Sequence, residues 1–147
     1  MKITIRKCEP SDFEAVYHFI NLLENTEFSK EKQFEIFNEN LKNTNHLFYI
    51  AENEEKPIGF LSCMVQNLIH HSGPIGEIQE MIVLPEYRGF KVGKVLIEHL
   101  ISEAKKKNIL QLEVTSGLQR VKAHEFYLRE GFLDTHKKFT MNISEKP

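Results

Sequence analysis

Val83-Leu84-Pro85-Glu86-Tyr87-Arg88-Gly89-Phe90-Lys91-Val92-Gly93-Lys94 joins the end of a strand to the start of a long helix through a turn that contains glycine. Before it, Glu77 to Leu84 reads as a strand, stopped by Pro85, which has no N–H to give to a sheet. After it, Val92, Val95, Leu96, Leu100, Ile101 and Ala104 recur at helical spacing, so a helix spans Lys91 to Lys107. Lys105, Lys106 and Lys107 close that helix, where positive charge suits the dipole. A strand that passes through a glycine turn into a long helix leaves the first helical N–H groups unpaired, and these attract an anion. Gly89 and Gly93 let a ligand approach the backbone, and Arg88 and Lys94 add positive charge, so phosphate or pyrophosphate is the natural ligand. The other reading is a plain connector with glycines for geometry. Neither Gly-x-x-x-x-Gly-Lys-[Ser/Thr] nor Gly-x-Gly-x-x-Gly occurs, which excludes a P-loop and a dinucleotide fingerprint.

Near the N-terminus Ile3 and Ile5 alternate with polar residues as a short strand. Ser11 and Glu14 have the spacing of a capping box, ahead of a helix carrying Phe13, Val16, Tyr17, Ile20 and Leu23. A second helix covers Glu31 to Leu41, with Phe34, Phe37 and Leu41 on one face. His46 to Glu52 and Ile58 to Gln66 read as strands joined by the polar turn Asn53-Glu54-Glu55-Lys56. Asn67 to Gly76 reads as a loop. Leu110, Leu112 and Val114 mark another strand, Val121 to Glu130 a short helix ended by Gly131 as a left-handed cap, and Phe132 to Met141 one or two closing strands. The result is a mixed α/β (α+β) domain with one central sheet, the strands flanking the Lys91–Lys107 helix being parallel.

At 147 residues and 17.2 kDa the chain has the size of one domain, and no repeat or linker divides it. A net charge of −2 argues against nucleic-acid binding driven by bulk charge. Cys8 and Cys63 are too few for a disulfide framework and read as buried or half-buried thiols. No apolar run has signal-peptide or membrane-span length, so the expectation is a soluble, cytoplasmic protein.

Arg-Gly-x-x-x-Gly after a strand ending Val-x-Pro resembles the acetyl-CoA loop of the GNAT superfamily of N-acetyltransferases. Ala123-His124-Glu125-Phe126-Tyr127-Leu128-Arg129-Glu130-Gly131-Phe132 resembles a second landmark of that family, at the expected distance. The resemblance implies the GNAT fold from residue 1 to 147, a mostly antiparallel mixed sheet flanked by helices, with acetyl-CoA as the acyl donor. It places the pantetheine along Met81, Ile82 and Val83, and the pyrophosphate at Arg88, Gly89, Phe90, Lys91, Val92, Gly93 and Lys94. Two positions differ from the family pattern. Lys91 replaces its middle glycine and must adopt whatever dihedrals the turn needs, and Arg120 stands where an asparagine often contacts the cofactor.

N-acetyl transfer needs a base for the amine and an acid for the leaving thiolate. Tyr127 matches the family tyrosine that serves as the acid. The base should project from Glu77-Ile78-Gln79-Glu80-Met81, with Glu77 the first choice and Glu80 the second. Regular alternation puts them on opposite faces, Glu77 with Gln79 and Met81, Glu80 with Ile78 and Ile82. A solvent-facing place in an open cleft is the alternative for each.

Ile69-His70-His71-Ser72-Gly73-Pro74-Ile75-Gly76-Glu77-Ile78-Gln79-Glu80 and Asn38-Glu39-Asn40-Leu41 are similar to the aminoalkylphosphonate N-acetyltransferase branch of that family. That branch implies a small primary amine bearing a phosphonate, met by His70, His71 and Arg120, and it permits a divalent metal and a homodimer. Polyamines, amino acids, aminoglycosides and protein amines are alternative acceptors. A non-catalytic acyl-CoA-binding module is the alternative of another class. Specificity is expected from the two N-terminal helices, the Asn67–Gly76 loop and the Ser116–Lys122 loop.

Overall fold

The computed structural model describes residues 1–144. The chain divides into two compact units, Met1–Val114 and a C-terminal unit beginning at Thr115. The first contains β1 (Ile3–Lys7), α1 (Phe13–Glu24), α2 (Lys30–Lys42), β2 (His46–Asn53), β3 (Lys56–Leu68), β4 (Gly73–Val83), α3 (Val92–Lys106) and β5 (Gln111–Val114). The second contains α4 (Val121–Arg129). No helix among the described residues is long and apolar enough to cross a membrane.

The five strands lie in sequence order, antiparallel except for the β4–β5 pair. The exception follows from the connection. β1 to β4 meet by reversals, whereas α3 crosses over between β4 and β5 and returns the chain in the same direction. Phe48, Ile50, Phe60 and Ile82 line one face of the sheet and pack with Phe13, Val16 and Phe19 of α1 and Phe37 of α2. On the opposite face Tyr49 meets His99 of α3 edge to face, with ring centroids 4.7 Å apart.

The turn between β2 and β3 is two residues long, with Glu54 at φ 50° and Glu55 at φ 65°. That is the backbone of a type I′ hairpin, which suits Asn-Gly far better than two glutamates. Replacing Glu54 by Asn and Glu55 by Gly together is expected to stabilise the protein by about 1 kcal/mol. Thermal denaturation checks it, and an unchanged midpoint refutes it.

Three expectations are corrected. The capping contacts lie two residues earlier than Ser11 and Glu14. A 3-10 turn at Pro10–Asp12 starts on Glu9, whose N–H donates to Asp12 Oδ2 at 2.7 Å, and α1 follows from Phe13. Aspartate wins because Arg6 holds its carboxylate in place. The loop expected at Asn67–Gly76 is more than half strand. β3 and β4 pair out to Leu68 and Gly73, leaving a 3-10 turn at Ile69–His71 and Ser72 at φ 55°. Pro74 hid this, but it sits near the start of β4, where a missing N–H is tolerated. Finally, no strand forms among the described residues after Gly131; Leu133, Phe139 and Met141 are all exposed there.

Candidate active site

The centre of β4 departs from regular pleating. Ser62 pairs with Glu80, but Cys63 pairs with Ile78, so Gln79 is an extra, exposed residue in a β-bulge. The bulge resets the alternation. Glu80 pairs with Ser62 and Glu77 with Met64, and Ser62 and Met64 lie on the same side of β3. Glu77 and Glu80 therefore share the face covered by α1 and α2, which corrects the opposite-face expectation. Glu113 of β5 joins them on that face as the partner of Glu77.

The two glutamates differ in surroundings. Glu80 is half-buried beside fully buried Ser62, whose hydroxyl donates to Glu80 Oε1 and accepts the Glu80 N–H at 3.0 Å. Burial pushes the Glu80 carboxyl above the usual range; the Ser62 bond works against this and Glu24, on α1, adds to it. Glu77 instead accepts a bond from exposed Gln79 Nε2 at 3.1 Å.

Beyond Ile78, β4 is paired on one side alone. The β5 ladder covers Ile75 to Ile78, while Met81, Ile82 and Val83 pair with β3. Among the described residues, the other backbone edge of Met81–Val83 faces no strand of this sheet. β4 then runs into a 3-10 turn at Pro85–Tyr87. Gly89 follows at φ 89°, a left-handed conformation that favours glycine, and Lys91 at φ 64° serves as the N-cap of α3. The bond from Val95 N–H to the Lys91 carbonyl, 3.1 Å, opens the helix ladder, so the N–H groups of Val92, Gly93 and Lys94 stand at the N-terminal edge of α3. Phe90 is half exposed, and Lys94 Nζ lies 3.3 Å from Glu98 Oε1, sharing its charge with the next turn. These residues fit a pyrophosphate: an open turn at the N-terminal end of a long helix, with Arg88 beside it.

The His70 and His71 rings meet at a tilt in the β3–β4 turn with centroids 4.4 Å apart, and His71 Nε2 is 3.9 Å from Glu113 Oε2. Glu113 also accepts from Gln111 Nε2 at 2.8 Å. No group of three or more His, Cys, Asp or Glu among the described residues is placed to hold a metal ion. Both cysteines are free, and burial pushes each thiol up to about 12, so neither is a thiolate nucleophile near neutral pH.

In the second unit, Arg120 is the N-cap of α4, with its N–H on the Gly117 carbonyl at 3.0 Å. His124 Nε2 lies 2.8 Å from the same carbonyl, so this ring braces the loop. Gly131, at φ 102°, ends α4 with its N–H on Leu128 O at 3.2 Å, and Phe132 N–H reaches Tyr127 O at 3.0 Å. This is a Schellman motif, and its usual hydrophobic contact is the Tyr127–Phe132 ring pair at 5.6 Å. The Gly-Phe that ends the helix thus also packs Tyr127. Burial pushes the Tyr127 phenol up despite Arg120, so it carries its proton at neutral pH.

Ser62, Glu24 and the bulge at Gln79 were missed in the sequence. Ser62 did leave a signal, as the lone hydroxyl in the apolar run Ile58 to Val65.

The chain belongs to the Acetyltransferase (GNAT) family, which it matches over residues 13–132. It is 34% identical over 136 residues to an aminoalkylphosphonate N-acetyltransferase of Salmonella typhimurium, covering 92% of this chain and 88% of that protein. The fold is similar to a transcriptional regulator from Bacillus halodurans (TM-score 0.88, 23% identity, 97% and 100% of the two chains). It is also similar to an aminoglycoside 6′-N-acetyltransferase from Acinetobacter baumannii (TM-score 0.83, 17% identity, 97% and 100%). The protein is an acetyl-CoA-dependent N-acetyltransferase.

Proposed function

We propose that this chain moves an acetyl group directly onto a small primary amine, with Glu80 as the base and Tyr127 as the acid, and that the acceptor is an aminoalkylphosphonate. The observation that carries the chemistry is a half-buried carboxylate, held by Ser62, on the strand that runs into an anion-binding turn. The 34% identity to the Salmonella enzyme supports the acceptor class. The family match across residues 13–132 supports reading both units as one acetyltransferase domain.

Acetyl-CoA supplies the acetyl group as a thioester, activated toward amines. Arg88, Gly89, Phe90 and the N–H groups from Lys91 to Lys94 would hold its pyrophosphate, and the open backbone edge of Met81, Ile82 and Val83 its pantetheine. Glu80 takes the amine proton as the N–C bond forms, and its raised affinity for protons suits that task. Glu77 is the second candidate base. Tyr127 Oη gives its proton to sulfur as the C–S bond breaks. Two inert thiols support direct transfer rather than an acyl-enzyme. His70, His71 and Arg120 are the candidate contacts for the phosphonate, with a divalent metal as an additive to test.

A polyamine is the second reading, favoured by Glu77, Glu80 and Glu113 on one sheet face. Thiol release from acetyl-CoA, assayed with short aminoalkylphosphonates and linear polyamines, with and without a divalent cation, separates them. Release with the phosphonates supports the first acceptor and release with polyamines the second. None with any amine favours a binding module. Tyr127→Phe is expected to lower kcat about 10-fold or more with the KM for acetyl-CoA unchanged; normal turnover refutes the acid role.

A further inference from the structure

Ser62 lies mid-strand in β3 with no exposed surface, among apolar residues from Ile58 to Val65. A buried hydroxyl needs a partner inside the protein. It finds one residue twice: Ser62 Oγ donates to Glu80 Oε1 and accepts the Glu80 N–H at 3.0 Å. The bulge at Gln79 sets this up by breaking the regular ladder and bringing Glu80 opposite Ser62. Backbone and side chain of Glu80 are tied to a single rigid point, so a chain with three torsions is held in one pose.

We propose that Ser62 is a positioning residue for acetyl transfer, gripping Glu80 through Oε1 so that Oε2 is the oxygen offered to the acceptor amine. The proposal rests on the reading of Glu80 as the base. Ser62 comes from β3, Glu24 from α1 and Glu77 from β4 itself, while β5 contributes Glu113 opposite Glu77. Burial and Glu24 oppose ionisation of Glu80, and Ser62 favours it. Removing the hydroxyl therefore makes the carboxylate harder to form and also leaves it loose.

The test is the pH dependence of kcat/KM for wild type, Ser62→Ala, Ser62→Cys and Glu80→Gln, with CoA binding and thermal midpoint as controls for folding. In Ser62→Ala the acid limb should move up by about one pH unit, with kcat reduced and CoA affinity retained. Ser62→Cys, a weaker donor of similar size, should fall between the two; a thiol variant that folds keeps the test open where the alanine variant does not. A wild-type acid limb in Ser62→Ala, with turnover lost in Glu80→Gln, overturns the role of Ser62 alone. Normal turnover in Glu80→Gln overturns the base assignment and the Ser62 role together.

Discussion

Glu80→Gln is expected to lower kcat by about 10²–10⁴-fold while leaving CoA binding intact. The amide keeps the shape and the place opposite Ser62 but cannot take a proton. Wild-type kcat/KM should fall on the acid side as Glu80 protonates. Because burial raises its proton affinity, with Glu24 adding to the effect, that limb should lie above the ordinary glutamate value of about 4.3. In the variant the limb should vanish. Glu77→Gln, which changes a group bonded to exposed Gln79, should cost less than about 10-fold. The reverse ranking would move the base to Glu77. Stability should shift the other way. A carboxyl whose folded pKa is raised favours the folded state below its unfolded value and loses that contribution as pH rises through the folded value. Ionised Glu80 thus weakens the fold at neutral pH, and Glu80→Gln should melt higher at pH 7, with the gain shrinking below about pH 4.

The second large effect concerns the fold. Arg6 of β1 grips Asp12 with both arms of its guanidinium, Nη1 to Oδ2 at 2.8 Å and Nη2 to Oδ1 at 2.7 Å, and reaches Glu52 of β2 through Nε at 3.1 Å. Asp12 is 7% exposed and also accepts the Glu9 N–H. Burial opposes its ionisation, but Arg6 and that N–H prevail and hold the carboxyl below the usual range. Arg6→Ala leaves a buried carboxylate without its cation. Loss of one partner costs about 3–5 kcal/mol in a fully buried pair. Arg6 is 34% exposed, so solvent screens part of this and about 2 kcal/mol is expected. The thermal midpoint should drop by roughly 5–10 °C. Asp12 is a depressed acid, so its contribution is complete above about pH 4 and fades as pH falls through its folded value. The gap between wild type and variant should therefore narrow in acid. A gap that is absent at pH 7 would refute the account. Arg6→Lys should recover only part, since an ammonium cannot form the two-armed grip.

Elements with a strong local period were legible. The helix at Val92–Lys106, the β2–β3 hairpin and the Gly131 cap follow from side-chain spacing and turn position, which act within a few residues. At Asn67–Gly76 the run His-His-Ser-Gly-Pro has loop composition, whereas β3 and β4 pair with each other out to Leu68 and Gly73 and confine the turn to the four residues between them. The closing strand expected after Phe132 rested on alternation, and alternation without a partner strand makes no sheet among the described residues.

The amino-acid sequence alone pointed to the acetyltransferase family, to Arg88–Lys94 as a candidate pyrophosphate turn and to Tyr127 as the candidate acid, because each is carried by a short run of residues whose chemistry is local. Which glutamate has the setting of a base was decided only by tertiary structure. Glu77 and Glu80 are equivalent in composition and differ by one inserted residue of register. The bulge at Gln79 turns them to one face, and pairing with a strand eighteen residues earlier gives Glu80 alone a buried serine. Register and burial are properties of paired strands, so no reading of β4 by itself contains them.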